Sequence, residues 1–179
     1  RRHFEAFLDS IDASAPRKLF FLHSLLPHVP YVFLPDGRSY ARHDGFDTLL
    51  GWSMSDNLWS RDEDLVARGY QRALLQTQMV DGLIGRFLDR LAAQDLYARS
   101  LIVITADHGA NCHPGVARRG FDANTWASGL MVPLFVKLPG QTRGERSDRN
   151  VQSIDVTPTV VAAVGRAAAH HSGRGRPHR

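Results

Sequence analysis

Two adjacent residues in the second half of the chain have the side chains of a metal-ligand pair. Asp107 and His108 directly follow the apolar run 101–105, which predicts a buried strand, and Gly109 then allows a sharp turn. A carboxylate oxygen and an imidazole nitrogen suit a divalent transition ion such as zinc or manganese. In an open α/β sheet, ligands bind beyond the carboxyl ends of the strands, where we expect this pair. The alternative is that Asp107 caps the next segment and His108 is an ordinary loop histidine.

Apolar runs and helical periodicity indicate which elements hold this pair. Residues 18–26, 101–105 and 130–137 form short apolar runs that predict strands, with Pro133 marking an edge or an irregular start in the third. Between the first two runs, acidic residues at 62–64 and apolar residues spaced three and four apart predict a long helix. Strands that alternate with a long helix predict an α/β fold: a layered α/β/α sandwich with a largely parallel sheet, present as a partial domain.

The C-terminal part of the chain changes in composition. Thr157 is predicted to be the N-cap of a last helix, with Pro158 at its first helical position. Residues 166–179 are rich in Gly, Arg and His without an apolar pattern, and we expect a basic disordered tail there, outside a domain that covers residues 1–165. This tail holds much of the formal net charge of +4. No nucleic-acid motif accompanies it, so a nucleic-acid partner is not expected.

Length and composition limit the class of protein. A chain of 179 residues with 43% hydrophobic content can bury one sizeable core. No apolar stretch approaches the roughly 20 residues that a membrane span requires. The chain begins with neither Met nor a signal peptide, so we expect a fragment of a longer protein. Cys112 is a single cysteine, which excludes an internal disulfide and leaves the redox compartment open.

A long irregular loop is predicted between the first strand and the long helix. It extends from Tyr31 to about Ser60, with a turn at Pro35, Asp36 and Gly37. Aromatic side chains recur through it at Tyr40, Phe46, Trp52 and Trp59. Interleaved aromatic residues favour an ordered loop that lies over a site.

Six segments, taken in order, resemble the second half of a sulfatase-type catalytic domain of the alkaline phosphatase superfamily. They are LHSLLPHVPY at 22–31, YQR at 70–72, VDGLIG at 80–85, TADHG at 105–109, VPLFVK at 132–137 and IDVTPT at 154–159. The resemblance extends over roughly residues 18 to 165 and lies in the ordered series. Residues 27–30 and 137–141 are most similar to bacterial sulfatase-like proteins whose domain follows transmembrane helices and faces outward. The resemblance therefore implies upstream membrane segments and a membrane-anchored, extracytoplasmic domain.

The resemblance also implies a divalent metal ion. Family members bind metal through acidic residues near the domain's N-terminus together with a late Asp-Asn or Asp-His pair, which Asp107 and His108 match. A histidine in this pair favours manganese or zinc over calcium. The family's nucleophile lies upstream of the segment that corresponds to Leu19, so we expect it to be missing here with the N-terminal half of the domain. Cys112 lacks the Cys-x-Pro-x-Arg setting of a sulfatase nucleophile and is expected to be a structural thiol.

Three further residues are candidates for contacts with the substrate. His28 lies in a His-x-Pro-aromatic motif, as does a family histidine that contacts the sulfate or phosphate group, and it is the predicted catalytic residue. His113 and Arg118 are the predicted substrate-binding residues. His113 follows His108 by five residues, and Arg118, with Arg119, lies where family members often place a basic residue that faces the anion; a guanidinium matches a tetrahedral oxyanion. Each has a plainer alternative: a loop histidine for His28, loop packing for His113 and an ordinary surface arginine for Arg118.

The expected function is metal-dependent hydrolysis or transfer at a sulfate or phosphate ester. The residues do not separate sulfate from phosphate, because the discriminating nucleophile lies outside them. The chain alone is expected to be inactive, since two ligands without further carboxylates should bind metal poorly. The rival interpretation is a non-catalytic fragment or degenerate sulfatase-fold domain with a structural or interaction role.

Overall fold

The computed structural model describes residues 2–14, 18–40, 51–53 and 57–172, and for residues 166–172 it describes the backbone alone. In chain order the elements are α1 (Arg2–Ser10), α2 (Glu63–Ala93), β1 (Ile102–Thr105), α3 (Trp126–Leu130), β2 (Leu134–Lys137) and α4 (Val156–Ser172), with a 3-10 turn at Ser153–Asp155. Helices and a small sheet confirm the α/β class at this level. The prediction for Phe46 lies outside the described residues.

Helix α2 begins where the acidic residues predicted it. The Asp62 carboxylate accepts hydrogen bonds from the backbone N–H of Asp64 at 3.0 Å and of Leu65 at 3.2 Å, which satisfies two of the unpaired donors at the helix start. The helix ends at Ala93, and Asp95 shortly afterwards has a positive φ of 53° that turns the chain toward β1. The predicted long helix is therefore confirmed.

Helix α1, which the sequence did not predict, packs against the C-terminal half of α2. The Glu5 carboxylate accepts two hydrogen bonds from the Arg86 guanidinium, at 2.8 and 2.6 Å. A first apolar core lies beneath this pair; its buried members are Leu8, Ile11, Leu91 and Ile102. Since Ile102 belongs to β1, this core joins α1, α2 and the sheet.

The sheet consists of two antiparallel strands. Ile102 in β1 pairs with Lys137 in β2, and Thr105 pairs with Leu134. The expected parallel arrangement is therefore not found among the described residues, because the connection between β1 and β2 reverses the chain direction through α3. The start of β2 immediately after Pro133 agrees with the irregular start that this proline predicted.

The predicted strand at 18–26 is wrong as a strand. These residues are described but belong to no ladder. Phe20 packs against the first core. The exposed fractions of Leu19, Phe21 and Leu25 are 86%, 81% and 77%. An apolar run predicts burial but cannot specify a pairing partner, and no strand among the described residues pairs with this segment through backbone hydrogen bonds.

A second apolar core forms under the aromatic loop. Its buried members are Tyr31, Trp52, Trp59 and Val66, with Val29, Ala73 and Cys112 packed against them. The two tryptophans face each other in an isolated antiparallel bridge, and Trp59 Nε1 donates to the backbone oxygen of Asn111 at 2.8 Å. The described part of this loop is therefore ordered and connects α2 to the chain that follows β1.

Helix α4 begins earlier and ends later than the sequence predicted. Gln152 is the N-cap of the 3-10 turn, and its backbone N–H donates to the Asp155 carboxylate at 2.8 Å. That turn continues directly into α4, so Thr157 is a helical residue and not a cap. The backbone is helical to Ser172, beyond the predicted start of the tail, since the alanine-rich segment 167–169 favours a helix. No helix among the described residues has both the length and the apolar character for a membrane span.

Candidate functional site

Asp107 and His108 lie at the end of β1 with their polar atoms directed toward each other. Oδ2 of Asp107 is 3.6 Å from Nε2 of His108, and Oδ1 accepts the backbone N–H of His108 at 3.0 Å. The Asp107 side chain is 77% exposed and that of His108 is 29% exposed. The pair is therefore accessible from solvent and not enclosed in the core.

The orientation of the His108 ring fits a metal ligand. Nδ1 lies 2.6 Å from the carbonyl oxygen of Gly109, so Nδ1 carries the proton and the Nε2 lone pair is directed at Asp107. Two ligands at about 2.1 Å from a tetrahedral ion are about 3.4 Å apart, close to the distance between the Asp107 and His108 atoms. Gly109 is needed for a close approach, since a Cβ there would overlap the carbonyl oxygen of Ser128.

Electrostatics keep the Asp107 carboxyl ionised. Desolvation acts to raise its pKa, but the hydrogen bond from the His108 backbone N–H and, when the ring is protonated, the positive charge of His108 outweigh it, so the pKa lies below the ordinary value. The charge of a protonated His23 acts in the same direction, although it is the smallest of these contributions. Among the described residues, no group of three or more His, Cys, Asp or Glu side chains could hold a metal ion. Asp107 and His108 could thus supply only two of the ligands that a metal site needs.

His28 and Arg118 meet although they are 90 residues apart in the chain. Nδ1 of His28 lies 2.7 Å from the carbonyl oxygen of Val29, which leaves Nε2 as the hydrogen-bond acceptor. Nη2 of Arg118 donates to that Nε2 at 3.3 Å. The His28 side chain is exposed, so an imidazole and a guanidinium stand together where a solute can reach the imidazole.

Arg118 is a buried cation that contacts no carboxylate in any described ion pair. It is only 6% exposed, and its guanidinium carbon lies 5.6 Å from the centroid of the Trp52 ring. Within the described part of the chain, its buried Nε–H has no hydrogen-bond partner. Burial lowers the pKa of Arg118, and the group remains charged near neutral pH. A buried guanidinium with spare donors favours a bound anion.

His113 lies apart from both pairs. It is exposed, and its charge helps to lower the pKa of Asp122, after the hydrogen bonds that Asp122 accepts from Asn124 and Thr125. Its backbone N–H faces the side-chain oxygen of Asn111 at 3.4 Å. The structure thus brings Asp107 to His108 and His28 to Arg118, while the substrate role predicted for His113 stays a prediction.

Cys112 and Tyr31 form the apolar floor beside Arg118. Burial raises the pKa of the Cys112 thiol to about 11, and the charge of Arg118 offsets this only in part. Burial also raises the pKa of Tyr31 to about 12, with a further contribution from Cys112. The thiol is therefore protonated near neutral pH and is not poised as a nucleophile, in line with the expected structural thiol.

Two buried amide side chains shape this site, and neither was predicted from the sequence. Asn111 is fully buried, and its Nδ2 donates to the carbonyl oxygens of Ala117 and Gly120, each at 2.7 Å. Its backbone N–H also donates to the carbonyl oxygen of Arg118 at 3.1 Å, which closes the loop that carries the arginine. The second amide is Gln76 on α2, whose position one turn from buried Met79 and seven residues before Leu83 was a usable signal.

The fold is that of a partial α/β domain in which one polar pair follows β1 and a second is formed by His28 and Arg118. Comparison with known proteins identifies its family. Residues 1–166 match the family described as Sulfatase. The chain belongs to the sulfatase family.

Individual relatives agree with this family. The chain is similar to steryl-sulfatase of Rattus norvegicus, with 33% identity over 98 residues that cover 48% of the chain and 17% of the rat protein. It is 26% identical over 116 residues to a sulfatase of Formosa agariphila, covering 64% and 21%. It is 30% identical over 90 residues to the multifunctional alkaline phosphatase superfamily protein PehA of Trinickia caryophylli, covering 48% and 17%.

The aligned regions span about a fifth of each relative's length. No solved structure matches the chain significantly. The resemblance to sulfatases within the alkaline phosphatase superfamily is therefore confirmed at the level of the family.

Proposed function

We propose that these residues supply the oxyanion-binding part and two metal ligands of a sulfatase-family active site that cleaves a sulfate or phosphate ester. The observation that carries the proposal is the contact between His28 and Arg118. A buried guanidinium with an unpartnered Nε–H, held against an exposed imidazole, provides donors for a tetrahedral anion. The family membership supports the same chemistry.

In this proposal the two residues have different roles. Arg118 binds a non-bridging oxygen of the ester through Nη2, the nitrogen that faces His28. Once the anion has replaced Nε2 as the acceptor of Arg118, His28 takes up a proton from water on Nε2. It donates this proton to the leaving oxygen as the nucleophile, supplied by chain beyond the described residues, bonds to sulfur or phosphorus and the ester bond breaks. The Nδ1 contact with Val29 keeps Nε2 on the substrate side. His113, which is exposed beside Asp122, is proposed as a contact to the distal part of the substrate.

Asp107 and His108 are proposed as ligands of manganese or zinc. Their 3.6 Å separation and their mixed oxygen and nitrogen donors fit such an ion better than calcium, which prefers oxygen. Bound there, the ion would neutralise developing negative charge on the ester oxygens. The remaining ligands and the nucleophile are proposed to come from chain beyond the described residues.

Exposed apolar side chains support the proposal that the remaining metal ligands and the nucleophile belong to a further part of the domain. Large apolar side chains are exposed to solvent on the 18–26 segment, on β2 and just before β2. They are Leu19, Phe21, Leu25, Leu130, Met131 and Phe135. We propose that the N-terminal half of a complete domain covers them and adds the strands of a layered, largely parallel sheet. A membrane-anchored, extracytoplasmic location is proposed on the resemblance of residues 27–30 and 137–141 alone.

A non-catalytic role is the second candidate. It is favoured by one observation: among the described residues, Asp107 and His108 find no third metal ligand. Such a domain would retain the fold and bind anions without cleaving esters. The two proposals differ in whether metal binds at Asp107.

Calorimetric titration of the 179-residue chain with Zn²⁺ and Mn²⁺ tests the proposal. We expect weak but saturable binding that falls at least about tenfold in Asp107→Ala, because a charged ligand is lost. Asp81→Ala is the matched control, since Asp81 is an exposed carboxylate on α2. Equal metal binding in wild type and Asp107→Ala would contradict the metal assignment. Metal-dependent turnover of chromogenic sulfate or phosphate esters by this chain would contradict the missing nucleophile.

A further inference from the structure

Gln76 is a polar side chain in the interior of a long helix. It lies on α2, has an exposed fraction of 0%, and is among the largest fully buried side chains of the described residues. Burial of an amide in an apolar environment costs free energy unless its donors and acceptors are satisfied. Its partners therefore indicate why a glutamine stands there.

All of these partners are backbone groups of one loop. Nε2 of Gln76 donates to the carbonyl oxygens of Pro27 at 3.1 Å and His28 at 2.9 Å. Its Oε1 accepts the backbone N–H groups of Val32 at 2.9 Å and Phe33 at 3.2 Å. Two donors and two acceptors are the full capacity of a glutamine amide, and all four are used.

The loop held in this way carries His28 but belongs to no helix or strand. Besides accepting the hydrogen bond from Gln76, the backbone of His28 donates one: its N–H bonds to the carbonyl oxygen of Leu25 at 2.7 Å. The imidazole reaches Arg118 only at 3.3 Å, near the upper end of hydrogen-bond distances. A shift of the loop by 1 Å would therefore separate the two side chains.

We propose that Gln76 is the positioning residue that fixes His28 against Arg118 and thereby forms the oxyanion subsite. This rests on the proposed function of that pair. Glutamine suits the role because a glutamate of the same size accepts from Val32 and Phe33 but, when ionised, offers no hydrogen to Pro27 and His28. The carboxylate would instead repel their carbonyl oxygens.

The test uses the full chain, two Gln76 variants and two control variants, with His28→Ala as the reference for a lost contact with Arg118. Gln76→Glu removes the donors, and Gln76→Met removes all four hydrogen bonds at similar volume. Gln78→Glu is the matched charge control on the exposed side of α2, and Met79→Ala is a core control that destabilises the same helix but removes none of the four hydrogen bonds to the loop. Three quantities are measured: sulfate affinity, the NMR signals of the Arg118 guanidinium, and amide hydrogen exchange.

The proposal predicts a selective effect. In Gln76→Glu and Gln76→Met, sulfate binding falls roughly tenfold or more, since the subsite loses one of its two groups. The Arg118 Nη signals shift to their positions in His28→Ala. Gln78→Glu keeps wild-type values, and Met79→Ala lowers thermal stability while sulfate affinity and the Arg118 signals stay unchanged.

Other results would contradict a positioning role for Gln76. Folded Gln76 variants with wild-type Arg118 signals would overturn the proposal, as would an equal loss of affinity in Met79→Ala. If no Gln76 variant folds, rapid exchange of the Val32 and Phe33 amides in the wild-type chain would overturn it, and slow exchange would support it. If the wild-type chain binds no sulfate, the oxyanion function fails, while the Arg118 signals still decide whether Gln76 positions His28.

Discussion

Nη2 of Arg118 donates a hydrogen bond to Nε2 of His28 at 3.3 Å, across 90 residues of sequence. The arginine is buried beside Trp52, whereas the histidine is exposed. A charged group in the interior and a titratable group at the surface thus share one hydrogen bond. This arrangement lets an arriving anion take the place of the imidazole lone pair as the acceptor of the guanidinium.

Replacement of Arg118 by methionine should selectively weaken sulfate binding. The variant keeps much of the apolar stem and removes the charge, so we expect a loss of about tenfold to a hundredfold in affinity. Arg119→Met is the matched control, because Arg119 is the exposed neighbour and carries the same charge. Isothermal titration with sulfate measures both. Equal losses in the two variants would mean that net charge, and not a formed subsite, attracts the anion.

Asn111 should contribute to stability through its two hydrogen bonds to Ala117 and Gly120. Asn111→Ala leaves these carbonyl oxygens without a donor in a buried loop, and we expect the free energy of unfolding to fall by about 1 to 3 kcal/mol. Asn124→Ala, at an exposed position, should change it by less than about 0.5 kcal/mol. Urea denaturation provides the comparison. A cost for Asn111→Ala as small as that of the control would show that the loop is held by other contacts.

The Cys112 thiol should react slowly at neutral pH. Its pKa of about 11 exceeds the value of 9.0 of an unperturbed thiol, mainly through burial, so the reactive thiolate is about a hundredfold scarcer in the folded chain. Alkylation by iodoacetamide should therefore be roughly a hundredfold slower than in the same chain in urea, and its rate should rise with pH up to about 11. Equal rates in folded and unfolded chains at pH 7 would argue against a buried, protonated thiol.

Much of the local structure was predictable, because it depends on neighbours in sequence. The acidic start of α2 and its apolar spacing located that helix, and Pro133 marked the start of β2. The paired positions of Asp107 and His108 followed from their place after an apolar run. In each case the determining contacts lie within a few residues along the chain.

What the sequence did not reveal depends on distant contacts. The run at 18–26 has strand-like composition, but pairing requires a partner that no local pattern specifies. The spacing of Gln76 placed it on the buried face of α2, but its role was not revealed because its four partners lie more than 40 residues away. The contact between His28 and Arg118 likewise arises only when the aromatic loop packs on α2.

The central claim is that the Asp107–His108 pair and the His28–Arg118 pair serve one active site. Paramagnetic broadening by Mn²⁺ tests this most directly, because the ion broadens NMR signals of nearby groups only. In the wild-type chain, substoichiometric Mn²⁺ should broaden the His28 ring and Arg118 guanidinium signals together with those of His108, and Asp107→Ala should abolish all three effects. Broadening of His108 alone, with His28 and Arg118 unaffected, would contradict the account.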